Sequence, residues 1–224
     1  MGLMCGRLDM NDVSRLLQDS SWIDEVLNRS QAPSRYNSPP GTFRPILRMV
    51  DDRLTLDDAF CSYHAAWAVG KVPLCSNTRL EKITNKYWGP LLKRGRAIVP
   101  ANGWYEWTGE KPNKQPYHIH RKDGELLYIA ALGNFAEARP EDHKAATGFT
   151  LVTADAVGGV VDVHGRRPVV FTAADAALWM DPATPPEMAE QLARTSSLGP
   201  EWFDWYKVSK AVGPSSNEGQ ELTH

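Results

Sequence analysis

Ala97-Ile98-Val99-Pro100-Ala101-Asn102-Gly103-Trp104-Tyr105-Glu106-Trp107 is the stretch from which the fold can be read. Two short runs of β-branched and aromatic residues, Ala97 to Val99 and Gly103 to Trp107, are punctuated by Pro and Gly. That is how strands look in a sequence. On the second strand, side chains alternate between faces. Trp104 and Glu106 therefore share one face, and Tyr105 and Trp107 share the other. A carboxylate set among aromatics is a candidate for general acid or base work, because burial disfavours its charged form. Glu106 can equally be a surface acid on a strand whose aromatics form the core.

Outward from this stretch the same pattern repeats. Phe43 to Val50, Tyr117 to His120, Leu127 to Leu132, Phe149 to Thr153 and Val169 to Phe171 are further strand-like runs. A last strand is expected near Trp205 to Val208. Asn11 is placed to cap a short helix with Val13, Leu16 and Leu17 on one face, and Trp22, Ile23, Val26 and Leu27 have the same spacing. Pro33 and Pro39-Pro40-Gly41 then break the chain into turns. Two helices are expected late. One spans about Ala173 to Met180. The other starts from Thr184 as N-cap, with Pro185 at its first position and Glu187 completing a capping box, and turns Met188, Leu192 and nearby alanines inward. Residues 213–224, rich in Ser, Gly and Glu, read as a loose tail. There is no internal repeat and no βαβ alternation. The expected fold is therefore α+β: a single domain with a strand-rich mixed sheet core and flanking helices.

Composition narrows the class. At 224 residues, 42% hydrophobic and 23% charged, the chain is long enough to bury a core without staples. No apolar run approaches the roughly 20 residues of a membrane span, and no basic region followed by an apolar stretch marks a secretory signal. Three cysteines, at 5, 61 and 75, form neither a disulfide framework nor a zinc pattern, so a reducing, cytoplasmic setting is expected. The net charge of −2 hides a local concentration of cations. Arg79, Lys82, Lys86, Lys93, Arg94 and Arg96 face the single acid Glu81 over that stretch, and Arg166-Arg167 form a second cluster. A solvated charged face is the plain alternative.

Cys5, in Met4-Cys5-Gly6-Arg7, stands close to the start of the chain. Were residues 1–4 removed, it would carry a thiol and an α-amine on adjacent carbons. The amine, with an ordinary pKa near 8, is partly neutral at physiological pH. Such a pair condenses with an aldehyde to a thiazolidine, which an internal Cys cannot do because its nitrogen is an amide. Free cysteines are otherwise small buried residues. His164 can shuttle protons, and Arg166 and Arg167 beside it suit phosphate. Asn77 can orient a thiol or a substrate oxygen through its amide, or simply occupy a turn. His118 and His120 share a strand face but lack a third ligand, so neither a metal nor another cofactor is expected. Cys61 and Cys75 read as buried small residues. Most of the eight tryptophans read as core, with Trp67 a possible stacking or wedging surface for bases.

The order of these signals carries more than any one of them. Cys-Gly-Arg at 5–7, Arg35-Tyr36-Asn37 with Pro40-Gly41, Asn77-x-Arg79-x-Glu81, Gly95-Arg96-Ala97-Ile98, Gly103-Trp104-Tyr105-Glu106-Trp107, His164-Gly165-Arg166-Arg167-Pro168 and Val208-Ser209-x-x-Val212 resemble the SOS-response-associated peptidase family. Members of that family shield abasic sites in single-stranded DNA. The resemblance implies a domain over residues 5–222 around a barrel-like core, and residues 1–4 then read as an N-terminal extension or a removable leader. It implies a thiazolidine crosslink through Cys5, a thiol-orienting amide at Asn77, and acid–base groups at Glu106 and His164. It places DNA contacts at Arg7, Arg35, Trp67, Arg79 and Arg166, and implies a monomer that needs no cofactor. A cysteine peptidase built on Cys5 and His164, acting on its own leader, is the alternative. Three departures stand out. Met1-Gly2-Leu3 precede Met4-Cys5, the run Phe60-Cys61-Ser62-Tyr63-His64-Ala65-Ala66 replaces the family's Trp-Gly and Pro before Trp67, and Thr78 replaces an Ala.

Overall fold

The computed structural model describes residues 6–16, 26–110, 112–136, 144–156 and 165–224. In chain order the strands are β1 (Arg7–Met10), β2 (Leu27–Asn28), β3 (Arg35–Ser38), β4 (Phe43–Val50), β5 (Arg53–Phe60), β6 (Asn77–Arg79), β7 (Arg96–Ala101), β8 (Gly103–Thr108), β9 (Gln115–Arg121), β10 (Leu127–Gly133), β11 (Phe149–Asp155), β12 (Arg166–Pro168), β13 (Val170–Phe171) and β14 (Phe203–Lys207). The helices are α1 (Gly89–Arg94), α2 (Ala173–Met180) and α3 (Pro186–Thr195). The strand-rich α+β reading holds. The sheets stay open rather than closing into a barrel. One runs β14-β9-β8-β1-β3, and the larger runs β12-β11-β10-β7-β4-β5-β2, with β13 beside β10 and β6 beside β11.

The stretch 97–107 is the corner between them. β7 belongs to the larger sheet and β8 to the smaller. Asn102 makes the turn: its N–H donates to the Asp9 carbonyl at 2.8 Å, and its side-chain oxygen accepts from the Asp12 N–H at 3.0 Å. Gly103 follows because nothing larger fits, since a Cβ there would stand 2.4 Å from His118 Nε2 and 2.7 Å from the Ile119 carbonyl. The alternation read for β8 then decides two cores. Trp104 joins Leu8, Ile119 and Phe203 against Leu47, Ile98, Ile129 and Leu151 of the larger sheet. Tyr105 faces the other way, into a smaller cluster with Val208, Val212 and Leu222, packed by Tyr36 and Trp107.

That second cluster corrects the reading of 213–224 as a loose tail. Leu222 and Thr223 are buried. Asn37 donates to the carbonyls of Val212, Pro214 and Asn217, and Glu218 accepts from Arg35 and the Tyr36 N–H. Polar composition hid an anchored segment, because what anchors it is backbone carbonyls and one buried leucine.

Other boundaries moved for local reasons. Asn11 bonds the Asp9 side chain, and Asp12 precedes only a single 3-10 turn, Val13–Arg15. Leu27 sits in a strand, whereas Trp22 and Ile23 lie outside the described residues. Helix α2 has the expected span, and its cap is Thr172, which accepts from the Asp175 N–H. The capping box expected at Thr184 is absent: α3 starts at Pro186 after Pro185, and the Thr184 carbonyl instead accepts from Arg96. Ala189 and Ala193 form its buried edge, and Met188 is exposed. Small residues one turn apart let the helix approach closely, which leaves the long side chain outside. Of the tryptophans, Trp88, Trp104 and Trp179 are core, whereas Trp67, Trp202 and Trp205 are exposed. Trp107 is half-buried against the smaller cluster, so fewer of the described tryptophans are fully core than the sequence suggests.

Candidate active site and nucleic-acid interface

The site is assembled where the two sheets meet at the start of β1. The register Arg7↔Tyr105, Leu8↔Trp104 pairs β1 antiparallel with β8. Continued by one residue, it sets Gly6 beside Glu106. Glu106 is buried, on the Trp104 face that looks toward the larger sheet. Cys5 itself lies outside the described residues, as does His164. What surrounds Gly6, the residue bonded to Cys5, is defined.

Beneath Gly6 lies an arginine that the sequence reading passed over. Arg44, on β4 of the larger sheet, is fully buried. Its Nη2 reaches across to the smaller sheet and donates to the Gly6 carbonyl at 3.2 Å and to the Ser38 carbonyl. Its Nε and Nη1 find no oxygen or nitrogen acceptor. The Cys61 thiol lies alongside as a weak acceptor. Burial pushes Arg44 down from its ordinary value, and burial pushes the Cys61 thiol up while Arg44 pulls it back. An arginine nevertheless stays charged. The one signal available was periodicity: Arg44 stands two residues before the core residue Ile46 in a strand whose run was already recognised.

Arg7 is half-buried beside this group. Its Nη1 donates to Asn37 Oδ1 at 2.6 Å and to the Val212 carbonyl at 2.9 Å, and its Nη2 to the Gly213 carbonyl at 3.3 Å. Burial, then the Arg44 charge, lower its pKa. Arg35 pairs with Glu218 at 2.7 Å. These contacts tie β1 and β3 to the C-terminal segment.

On the larger sheet, Cys61 bridges in parallel to Phe149 at the start of β11. Two residues along, Leu151 pairs with Asn77 in the parallel β6–β11 ladder. The structure thus links Gly6, Arg44, Cys61 and β11 in one path to Asn77. Arg79 ends β6 with its side chain exposed. Arg166, two residues past His164, is buried and forked on Glu81, with Nη1 and Nη2 each 2.9 Å from a carboxylate oxygen, and Nη1 is also 2.7 Å from Asp155. Its hydrogen bond holds the Glu81 carboxyl well below the usual range, at about 2. Trp67 is exposed, edge-on to Tyr87 at 5.4 Å, in a loop that also exposes Val69 and Leu74. Tyr87 in turn accepts from the Ala65 N–H at 3.0 Å. The departure at 60–66 therefore leaves Trp67 presented outward on a braced turn.

His118, raised as half of a metal pair, instead meets Asp9 Oδ2 at 3.0 Å through Nε2. No group of three metal-ligating side chains occurs among the described residues, and no described helix is long and apolar enough to cross a membrane.

A two-sheet α+β domain that gathers a buried carboxylate and buried cations around its N-terminal strand, and exposes a tryptophan elsewhere, defines a class of protein. Residues 4–215 match the family model described as SOS response associated peptidase (SRAP). The chain belongs to that family. It is 37% identical over 225 residues to the abasic site processing protein YedK of Escherichia coli, covering 98% of each chain. It is 31% identical over 168 residues to the abasic site processing protein HMCES of Gallus gallus, covering 65% of this chain and 48% of that one. A solved phage-related protein from Bordetella bronchiseptica superposes with a TM-score of 0.78 at 36% identity, covering 92% of this chain and 95% of that one.

Proposed function

We propose that this protein captures abasic sites in single-stranded DNA by a covalent bond to Cys5, once residues 1–4 have been removed. The family and its relatives named for abasic site processing support the DNA-damage role. The observation that carries the chemistry is the register that sets Gly6, bonded to Cys5, beside the buried Glu106.

The strand binds over the exposed Arg79 and the basic run beyond it, largely through phosphates. Trp67 stacks at the unstacked position. Arg7 and Arg35, held on β1 and β3, add positive charge. Arg166 reaches phosphate when a backbone oxygen takes the place of Asp155, whose side chain is 67% exposed. Glu106 or His164 moves the proton that opens the sugar to its aldehyde. The neutral amine of Cys5 adds to C1′, water leaves and an imine forms. The thiol sulfur then adds to the same carbon while its proton passes to nitrogen, closing the ring with no oxidant or cofactor. Asn77 orients the thiol. A reducing cytoplasm keeps that thiol free.

The test uses protein beginning at Cys5 and a uracil oligonucleotide treated with uracil glycosylase. A heat-stable adduct on single strands, lost in Cys5→Ala, is the expected result. Peptide cleavage without an adduct would overturn it in favour of a peptidase acting through Cys5 and His164.

A further inference from the structure

The outer edge of β3 holds an anion. β3 ends the smaller sheet, beyond β1, and no strand among the described residues pairs with its other side. Its register with β1 slips by one residue between Leu8↔Ser38 and Met10↔Arg35, so Tyr36 and Asn37 stand together opposite Asp9. Successive N–H groups of a regular strand point to opposite edges, but at a bulge two can turn the same way. Here both converge on Glu218 Oε2, the Tyr36 N–H at 2.9 Å and the Asn37 N–H at 3.3 Å, while Arg35 Nε donates to Oε1 at 2.7 Å. Two adjoining N–H groups beside a guanidinium form a site for an anionic oxygen, whichever molecule supplies it.

The C-terminal segment is anchored without Glu218. Before it, the buried Asn37 amide donates to the carbonyls of Val212, Pro214 and Asn217. After it, Leu222 is buried and the Thr223 carbonyl accepts from Tyr206 at 2.7 Å. Residues 218–221 span these anchors, with Gly219 at φ +134°, a backbone open to glycine and strained for other residues. Glycine there lets the loop turn while both anchors stay in place. The ion pair is open to water, with Arg35 27% and Glu218 34% exposed, and a pair so placed is weak enough for another anion to displace. Arg7 lies close enough to feel the charges of Arg44, Glu218 and Arg35. Arg44 in turn donates to both the Ser38 carbonyl of β3 and the Gly6 carbonyl. The anion site therefore lies among cations, beside the start of β1.

We propose that this edge of β3 is a phosphate subsite for the bound DNA strand, and that Glu218 is its resident occupant, displaced when a backbone phosphate arrives. This rests on the single-stranded DNA role proposed above. A phosphodiester spreads one negative charge over two non-bridging oxygens, as a carboxylate does, so it can take over all three donors. Glu218 then turns to water, and no donor on β3 is left without an acceptor. The strand must outcompete a carboxylate tethered in place, which weakens the hold on DNA that forms no covalent bond.

The experiment measures binding of the full chain to a labelled, intact oligothymidine by anisotropy at low salt. Glu218→Gln keeps the shape of the side chain and an acceptor oxygen but loses the charge. It should bind about threefold more tightly, the scale of one exposed ion pair, and the gain should fade as salt rises. Glu221→Gln removes a charge from the same loop that makes no hydrogen bond to β3, and should leave the affinity nearly unchanged. In an Arg35→Gln background the gain from Glu218→Gln should vanish, because the two side chains act through one site. No change or a loss in Glu218→Gln overturns the subsite. So does an equal gain in Glu221→Gln, the mark of general charge removal, or a gain that survives in Arg35→Gln. Abasic oligonucleotide and protein beginning at Cys5, run in parallel, separate the two readings. The Glu218→Gln gain with no adduct sinks the covalent role and leaves the subsite, an adduct with no gain does the reverse, and a parent that binds no single strand sinks both.

Discussion

Two buried arginines lie on neighbouring strands of the same sheet and are treated in opposite ways. Arg96, at the start of β7, donates to the carbonyls of Leu92, Trp179, Asp181 and Thr184. It collects acceptors left open at the C-terminal ends of α1 and α2, where the helix dipole also favours a cation. Arg44, on β4, keeps the carbonyls of Gly6 and Ser38 and otherwise meets only the Cys61 thiol, a weak acceptor. The first is satisfied by helix ends and holds the fold. The second holds the start of β1, and no carboxylate among the described residues pairs with its charge. How completely a buried charge is satisfied distinguishes scaffold from site better than burial does.

Crosslinking gives the largest lever on this contrast. Glu106 faces Gly6 across the β1–β8 register, while Arg44 holds the Gly6 carbonyl from the larger sheet. Glu106→Gln should slow adduct formation on abasic DNA by about 100-fold or more, the usual scale of a general acid–base group. Its affinity for an intact single strand, measured by anisotropy, should change little. Equal losses in rate and affinity would remove Glu106 from the chemistry.

Stability comes next. Arg96→Met should cost about 3–5 kcal/mol in urea unfolding, because four carbonyls lose their donor in a buried place. Arg44→Met should stay within about 1 kcal/mol of the parent, since two lost acceptor contacts are offset by relief of an unpaired buried charge. Matching losses for the two variants would break the contrast.

Arg166 is the intermediate case: it donates to the Thr153 carbonyl at 2.6 Å, and its charge is neutralised by Glu81 and Asp155. Asp155→Asn should tighten binding to single-stranded DNA about threefold at low salt, an advantage that fades as salt screens it. No change would mean that Arg166 serves only to join β12 to the turn after β6. The smallest effect is on pH. Glu81 has a folded pKa near 2, below its unfolded value. Its contribution is therefore present above about pH 4.5 and is lost as pH falls toward 2. The side chain is 44% exposed, so solvent limits that contribution to under about 1 kcal/mol. Acid unfolding of Glu81→Gln should lack this part of the pH dependence.

The amino-acid sequence by itself determined the class of the fold and the family. Local composition is enough for a strand such as Phe43–Val50 or a helix such as Ala173–Met180, because β-branched runs and apolar periodicity are local properties. Short strands were not legible. Arg7–Met10, Asn77–Arg79 and Arg166–Pro168 hold three or four residues each, mostly polar, and owe their conformation to the strands they pair with. The ordered motifs named the family and drew attention to Glu106, Asn77, Arg79 and Trp67. Only the tertiary structure decided which charges are cancelled. Whether an arginine finds four carbonyls, two carboxylates or little besides depends in part on residues as far away as Gly6, 38 positions from Arg44, and Thr184, 88 positions from Arg96, and no spacing along the chain encodes those meetings. Arg44 looked like one more polar residue in a strand until two sheets closed over it, and the corner at Asn102–Gly103, where this chain's reading began, is what brings them together.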